Sequence, residues 1–171
     1  GRLDYLKGLD IAIEVIKIAN KNNKFYKLII AGGDLGSNEQ HKVDLMLQNN
    51  NLAQHVNWLG SLTQKELNLA YNSVDIIIVS SRSETFGLVC LEAIATKTPV
   101  IASDVGRMKD MIINYDSGIL ISDINPKNFY SEIEEFFNNK SSFKFSKESL
   151  EKIKNFTWEN VFNDLFSNKN H

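Results

Sequence analysis

Two glutamates, Glu84 and Glu92, stand with seven residues between them, Thr85-Phe86-Gly87-Leu88-Val89-Cys90-Leu91. The first follows an apolar run, Asp75-Ile76-Ile77-Ile78-Val79, that reads as a buried strand; the second lies inside a helix that opens at Gly87. One carboxylate therefore falls at the mouth of a parallel sheet, and the other a turn or two into a helix whose N-terminus faces the same crevice. Helix-terminal amides and the positive end of the dipole attract phosphate, while carboxylates accept hydrogen bonds from sugar hydroxyls. The arrangement suits a polyhydroxylated, phosphorylated ligand.

Each acid also has a plainer explanation. Glu84 suits the start of a helix, where the dipole favours an acid. Glu92 shares the face of Leu88, away from Leu91, Ile94 and Ala95, and reads as an exposed helix carboxylate. The pair is the signal: Gly87 to Glu92 rises roughly 7–8 Å along a helix, the scale on which one acid meets a hexose and the other a ribose. The same pair admits hydrolysis, since glycosidase carboxylates stand roughly 5–9.5 Å apart. Two nearby cations argue against hydrolysis. Arg2 and Lys7 flank a turn into the first helix, where Arg by its planar fork and Lys as a point charge could clamp a diphosphate.

The elements that must position these residues alternate in period. Helical stripes run over residues 8–22, 38–50, 87–96 and 108–113, and Thr63 with Glu66 three residues on marks a capping box opening another. Strand-like runs fall at 26–31, 55–59, 75–80, 99–102 and 118–121, and only helices follow Pro126, at 126–138, 147–154 and 157–167. The alternation predicts an α/β fold, a doubly wound, Rossmann-like parallel sheet with helices on both faces and a helical C-terminal segment. Ligands bind at the carboxyl ends of strands in such sheets. Residues 2–7, 32–36, 82–87 and 103–107 should converge there.

Gly32 and Gly33 close a strand and let backbone approach a ligand, or simply supply positive φ for a tight turn. With Ala31 and Gly36 they form a degenerate dinucleotide fingerprint, but the next strand ends Trp58-Leu59-Gly60-Ser61 without the acid that would hold a ribose, which argues against nicotinamide. His41, His55 and His171 have no nucleophile beside them and no metal-ligand spacing. Cys90, the single cysteine, excludes a disulfide framework and sits in an apolar helix stretch as a packed thiol.

The 171 residues fit one domain; the net charge of −2 and scattered lysines give no nucleic-acid surface. No apolar run reaches a membrane span and no signal peptide is recognisable, so the expected setting is cytoplasmic. Gly1-Arg2-Leu3 has the character of a strand's end with no strand before it, and the chain reads as a domain excised from a longer protein.

Together these segments resemble the C-terminal, donor-binding domain of retaining glycosyltransferases of the two-Rossmann-domain (GT-B) class, the group 1 glycosyl transferases. The resemblance rests on Gly1-Arg2-Leu3 with Lys7-Gly8, Ile29-Ile30-Ala31-Gly32-Gly33-Asp34, Val56-Asn57-Trp58-Leu59-Gly60 and the run from Ser81 to Glu92. It continues through Thr98-Pro99-Val100-Ile101-Ala102, Gly118-Ile119-Leu120-Ile121 and Thr157-Trp158-Glu159.

It implies that Arg2 and Lys7 bind the donor diphosphate, Glu84 the transferred sugar and Glu92 the ribose. Backbone amides of Phe86, Gly87, Leu88 and Val89 would contact sugar and phosphate, and Gly60 to Leu62 would line the base, with Gly32 and Gly33 beside them. The donor would be a UDP- or GDP-sugar, with no metal and no other cofactor, and a separate N-terminal domain would bring the acceptor. The resemblance points to cell-surface polysaccharide synthesis and leaves open association with the inner face of the membrane through that other domain. The isolated domain would then bind donor without transferring sugar. A phosphorylase or epimerase on the same fold, and a non-catalytic binding subunit, are the alternatives.

Two departures stand out. The family often has Gly-Gly followed by Glu, where this chain has Gly106-Arg107 followed by Met108-Lys109-Asp110, and Thr85 stands where Gly is frequent.

Overall fold

In a computed structural model of the chain, residues 5–139 and 145–154 are described, without the side chains of Glu39 and Ile153. Arg2, the Thr157-Trp158-Glu159 segment and the helix expected at 157–167 lie outside the described residues.

Among the described residues, five strands alternate with helices in the order the apolar periods predict. They are β1 (Leu28–Ala31), β2 (Val56–Gly60), β3 (Ile77–Val79), β4 (Val100–Ser103) and β5 (Gly118–Ile121). The helices are α1 (Leu9–Lys21), α2 (Asn38–Asn49), α3 (Gln64–Asn72), α4 (Leu88–Ala95), α5 (Met108–Tyr115), α6 (Pro126–Asn138) and α7 (Lys147–Lys154). Local chemistry sets several boundaries. Thr63 Oγ1 accepts from the Glu66 amide while the Glu66 carboxylate accepts from the Thr63 amide, closing the expected capping box at the start of α3. Asn125 caps α6 through the amides of Lys127 and Asn128, with Pro126 in the first turn.

Every strand pair among the described residues is parallel: β1 with β2, β3 with β4, β4 with β5. Helices cover both faces, and β4 shows why. Its four residues are all buried; Val100 and Ala102 pack with Leu91 and Ile94 of α4 and Met108 of α5 on one side. Ile101 faces the other way and joins Ile11 and Val15 of α1 with Phe129 and Ile133 of α6. A third cluster, Ile13, Ile16, Leu47 and Leu52, seats α1 and α2 beside β1 and β2. The strand period of two thus distributes a continuous apolar run between two helical layers.

One feature differs from the single sheet that the alternation predicts. The strands form two sheets, β1-β2 and β3-β4-β5, and β1 and β3 border a cavity of about 670 Å3 instead of pairing.

Candidate functional site

The site begins with a short 3-10 turn, Tyr5–Lys7, which leads into α1 through Gly8. Gly8 has φ 68°, and a Cβ there would fall 1.9 Å from the carbonyl oxygen of Ser80, just past β3. Only glycine allows that approach. Ser80 Oγ donates back to the Gly8 carbonyl at 2.8 Å. Arg82 completes the attachment. Its amide donates to the Leu6 carbonyl at 2.8 Å and its Nη1 to the Tyr5 carbonyl at 2.9 Å. The guanidinium grips both carboxylate oxygens of Asp10, at 2.8 and 2.7 Å, and lies 3.9 Å over the Tyr5 ring. The Asp10 carboxyl is held below its usual range, first by that hydrogen bond and against the effect of its burial. The turn carrying Lys7 is thereby fixed to the loop carrying Glu84.

Lys7 Nζ consequently lies 2.6 Å from Glu84 Oε2. Burial pushes the Glu84 carboxyl up, but Lys7, by hydrogen bond and charge, and the amides of Thr85 and Gly87 outweigh it and hold the group below its usual value. Thr85 donates its amide to Oε1 at 3.1 Å. The amides of Thr85 and of Gly87, the residue that caps α4, serve this carboxylate, in keeping with the reading of Glu84 as an acid placed before a helix.

From the other side Gly106, φ 56°, presses on the same loop; a Cβ there would lie 1.9 Å from the Glu84 carbonyl oxygen. Arg107, next in the chain, sits at φ −98° in front of α5.

Glu92 is half-buried, which corrects its reading as an exposed helix carboxylate. The phenol of Tyr71, buried on α3, donates to Glu92 Oε2 at 2.7 Å. The Tyr71 hydroxyl is pushed well above its ordinary pKa by burial first and by Glu92 second, so it stays a donor. Thr98 Oγ1 anchors Tyr71 in turn, donating to its carbonyl at 3.0 Å. Neither Tyr71 nor Asp10 is visible as a site residue in the sequence. Both are recruited across long stretches of chain, and an aromatic or an acid on an amphipathic stripe carries no local mark of such a role.

Lys7, Glu84, Val89 and Glu92 all border the cavity between β1 and β3. Among the described residues, the other sequence candidates do not border it. Gly32, Gly33 and Gly60 form a second cluster, with the Gly32 amide donating to the Gly60 carbonyl at 2.7 Å. Trp58 Nε1 donates to the Gly32 carbonyl at 3.0 Å and Ser61 Oγ to the Gly33 carbonyl at 3.2 Å. Gly60 is buried against Leu35, and Leu62, two residues on, is half-buried. Gly87, φ 68°, heads α4 against Met108, while Phe86 and Leu88 are exposed on either side of it. His55 is buried, with Nδ1 3.1 Å from the Tyr26 carbonyl oxygen. Cys90 is fully buried.

The profile of the glycosyl transferases group 1 family matches residues 1–156. The chain belongs to that family. A glycosyltransferase of uncharacterised specificity from Methanocaldococcus jannaschii is 33% identical over 154 residues, 90% of this chain and 41% of the relative. The D-inositol 3-phosphate glycosyltransferase of Mycobacteroides abscessus is 29% identical over 98% of this chain and 37% of its own length. The chain thus spans about two fifths of the relatives it matches. Among solved structures, sucrose-phosphate synthase from Thermosynechococcus elongatus superposes with a TM-score of 0.76 at 26% identity, over 98% of this chain and 44% of the other. The Anabaena protein HepE, solved with UDP, shares the fold with a TM-score of 0.78 at 18% identity, over 96% of this chain and 45% of its own. The α/β architecture with parallel sheets and helices on both sides is that of GT-B glycosyltransferases.

Proposed function

We propose that this chain is the donor-binding half of a retaining glycosyltransferase and holds a nucleotide-diphosphate sugar for transfer to a glycan or lipid-linked acceptor. The observation that carries the reading is the gathering of Lys7, Glu84 and Glu92, from three separate elements, at one cavity rim. An ammonium has three donors, so Lys7 can hold Glu84 and a diphosphate oxygen together. Glu84, kept ionised, accepts hydroxyls of the transferred sugar. Glu92, oriented by Tyr71, accepts those of the ribose. The loops at Gly32–Gly33 and Gly60–Leu62 border the base, and the amides of Phe86, Leu88 and Val89 face sugar and phosphate.

Negative charge builds on the departing diphosphate, and Lys7, with Arg2 as its partner cation and the head of α4, stabilises it without a metal ion. No residue of this half then needs to move a proton. The acceptor and its acid–base environment come from an N-terminal domain, and the isolated chain binds donor without turnover. A cytoplasmic enzyme at the inner membrane face, building surface polysaccharide, fits this reading. Among the described residues no helix is long and apolar enough to cross a membrane.

Calorimetry with UDP, GDP and ADP on the wild type and Glu92→Ala tests the reading. One nucleotide should bind the wild type and lose at least about tenfold in affinity in the variant, because a charged hydrogen bond contributes roughly 1.5–3 kcal/mol. Equal affinity of wild type and variant for all three nucleotides would remove the ribose role from Glu92.

A further inference from the structure

Arg82 has no part in the donor reading, yet it stands two residues before Glu84 and brackets Lys7 from across the chain. Its amide and its Nη1 donate to the carbonyls of Leu6 and Tyr5, the two residues before Lys7. Its fork closes on both carboxylate oxygens of Asp10, three residues after Lys7 in the first turn of α1. The backbone on each side of the lysine is thus tied, by one side chain, to the loop that carries the glutamate.

The same contacts argue against the obvious role for a cation beside a diphosphate site, which is to bind phosphate directly. Both hydrogens of Nη1 and one of Nη2 are engaged within the protein, and the Tyr5 ring, 3.9 Å away, covers one face of the guanidinium. Asp10, held ionised by that hydrogen bond, offsets its charge. Fold stability accounts for the pair no better. The Asp10 side chain is 51% exposed, and ion pairs at such a surface contribute little. We propose that Arg82 and Asp10 are positioning residues for the donor: they fix the spacing between the ammonium of Lys7 and the carboxylate of Glu84, and touch no part of the ligand themselves.

A lysine needs such help more than most residues. Its ammonium ends a flexible four-carbon stem, so a Lys7 on a loose turn would sample many positions and be ordered only at the moment of binding, at the expense of affinity. Here Arg82 and Asp10 hold both flanks of the turn, Ser80 holds Gly8, and the ammonium stands 2.6 Å from Glu84. The cation read for the diphosphate and the acid read for the sugar are then presented at one separation. A displacement of about 1 Å at either is enough to lose much of what the pair achieves together.

This role rests on the sugar-nucleotide reading, and one set of titrations separates the two. Affinities of the intact protein for UDP, GDP and ADP, each beside its own nucleoside, are measured for the wild type, Asp10→Asn, Arg82→Lys, and Arg82→Lys combined with Lys7→Ala. Asp10→Asn should weaken the diphosphate that binds by about three- to tenfold and leave its nucleoside unchanged. Were Arg82 a phosphate ligand, removing the acid that engages it would strengthen diphosphate binding, so a gain overturns the proposal. Arg82→Lys keeps the charge but not the planar fork, and should weaken the diphosphate by about tenfold or more. Adding Lys7→Ala to it should then lose less than about fivefold, against roughly 10- to 100-fold in the wild type, because a misplaced lysine has little left to contribute. Full additivity of those two changes would overturn the proposal, as would equal losses for nucleoside and diphosphate. If Arg82→Lys does not fold, the direction of the Asp10→Asn effect decides alone. Should none of the three diphosphates bind the wild type, the sugar-nucleotide reading falls and the positioning role with it. Binding by the wild type that neither single variant alters removes the positioning role alone.

Discussion

Lys7 and Glu84, 77 positions apart in sequence, form an ion pair of 2.6 Å whose geometry neither residue sets for itself. Arg82 and the Gly8–Ser80 contact place the lysine; Gly106 and the head of α4 place the acid. Lys7→Ala should weaken nucleotide-diphosphate binding by about 10- to 100-fold, the loss of a charge-assisted bond of roughly 1.5–3 kcal/mol, with a smaller effect on a nucleoside that lacks phosphates. Calorimetry with UDP and uridine separates the two, and an equal loss for both would mean that the lysine acts only on the fold.

The same pair sets a pH dependence. Glu84 is held below its ordinary carboxyl value of 4.5 in the folded chain, so its contribution to stability is fully present above that value. It is lost as pH falls through the lower, folded value. Acid titration of the melting temperature should therefore drop more steeply below pH 4.5 in the wild type than in Glu84→Gln. Parallel curves would show that the ion pair makes no net contribution.

Tyr71→Phe removes one hydroxyl and leaves the ring in place. If Tyr71 orients Glu92 toward a ribose, the variant should bind UDP several-fold more weakly and lose part of its discrimination against 2′-deoxy-UDP, at roughly 1 kcal/mol for one hydrogen bond. Full discrimination with a lowered melting temperature would reduce Tyr71 to a packing role.

Gly106→Ala sets a methyl 1.9 Å from the Glu84 carbonyl at a backbone angle that side chains rarely adopt. Strain of about 1–3 kcal/mol and a displaced Glu84 loop should follow, seen as a lower melting temperature together with lost nucleotide affinity. A variant that binds normally would show that the loop is free to retreat.

Cys90, fully buried and with its thiol pushed up to about 12 by that burial, should resist thiol reagents until the chain unfolds. Labelling in native buffer should track unfolding measured by circular dichroism. A fast native reaction would mean that α4 opens on its own.

What could be read in the sequence was local. The capping box of Thr63 and Glu66, the start of α6 at Pro126 and the isoleucine run before Glu84 each carry their signal within a few residues. The two glutamates were recognisable from their spacing, because a strand-to-helix turn is itself a short-range pattern. The partners were not. Tyr71 meets Glu92 across 21 positions and Asp10 meets Arg82 across 72, and such pairings depend on how layers stack. The split of the sheet was equally hidden, since apolar runs announce strands but do not say which edges will meet.

Gly106 and Arg107 stand side by side before α5 under different backbone constraints. At 106 the backbone stands at φ 56° against a carbonyl, and a side chain has nowhere to go. At 107 it stands at φ −98°, a conformation open to every L-residue. The two positions therefore differ in what they require of the backbone. Glycine is demanded at 106 by the shape of the loop, whereas position 107 carries a guanidinium at no backbone cost.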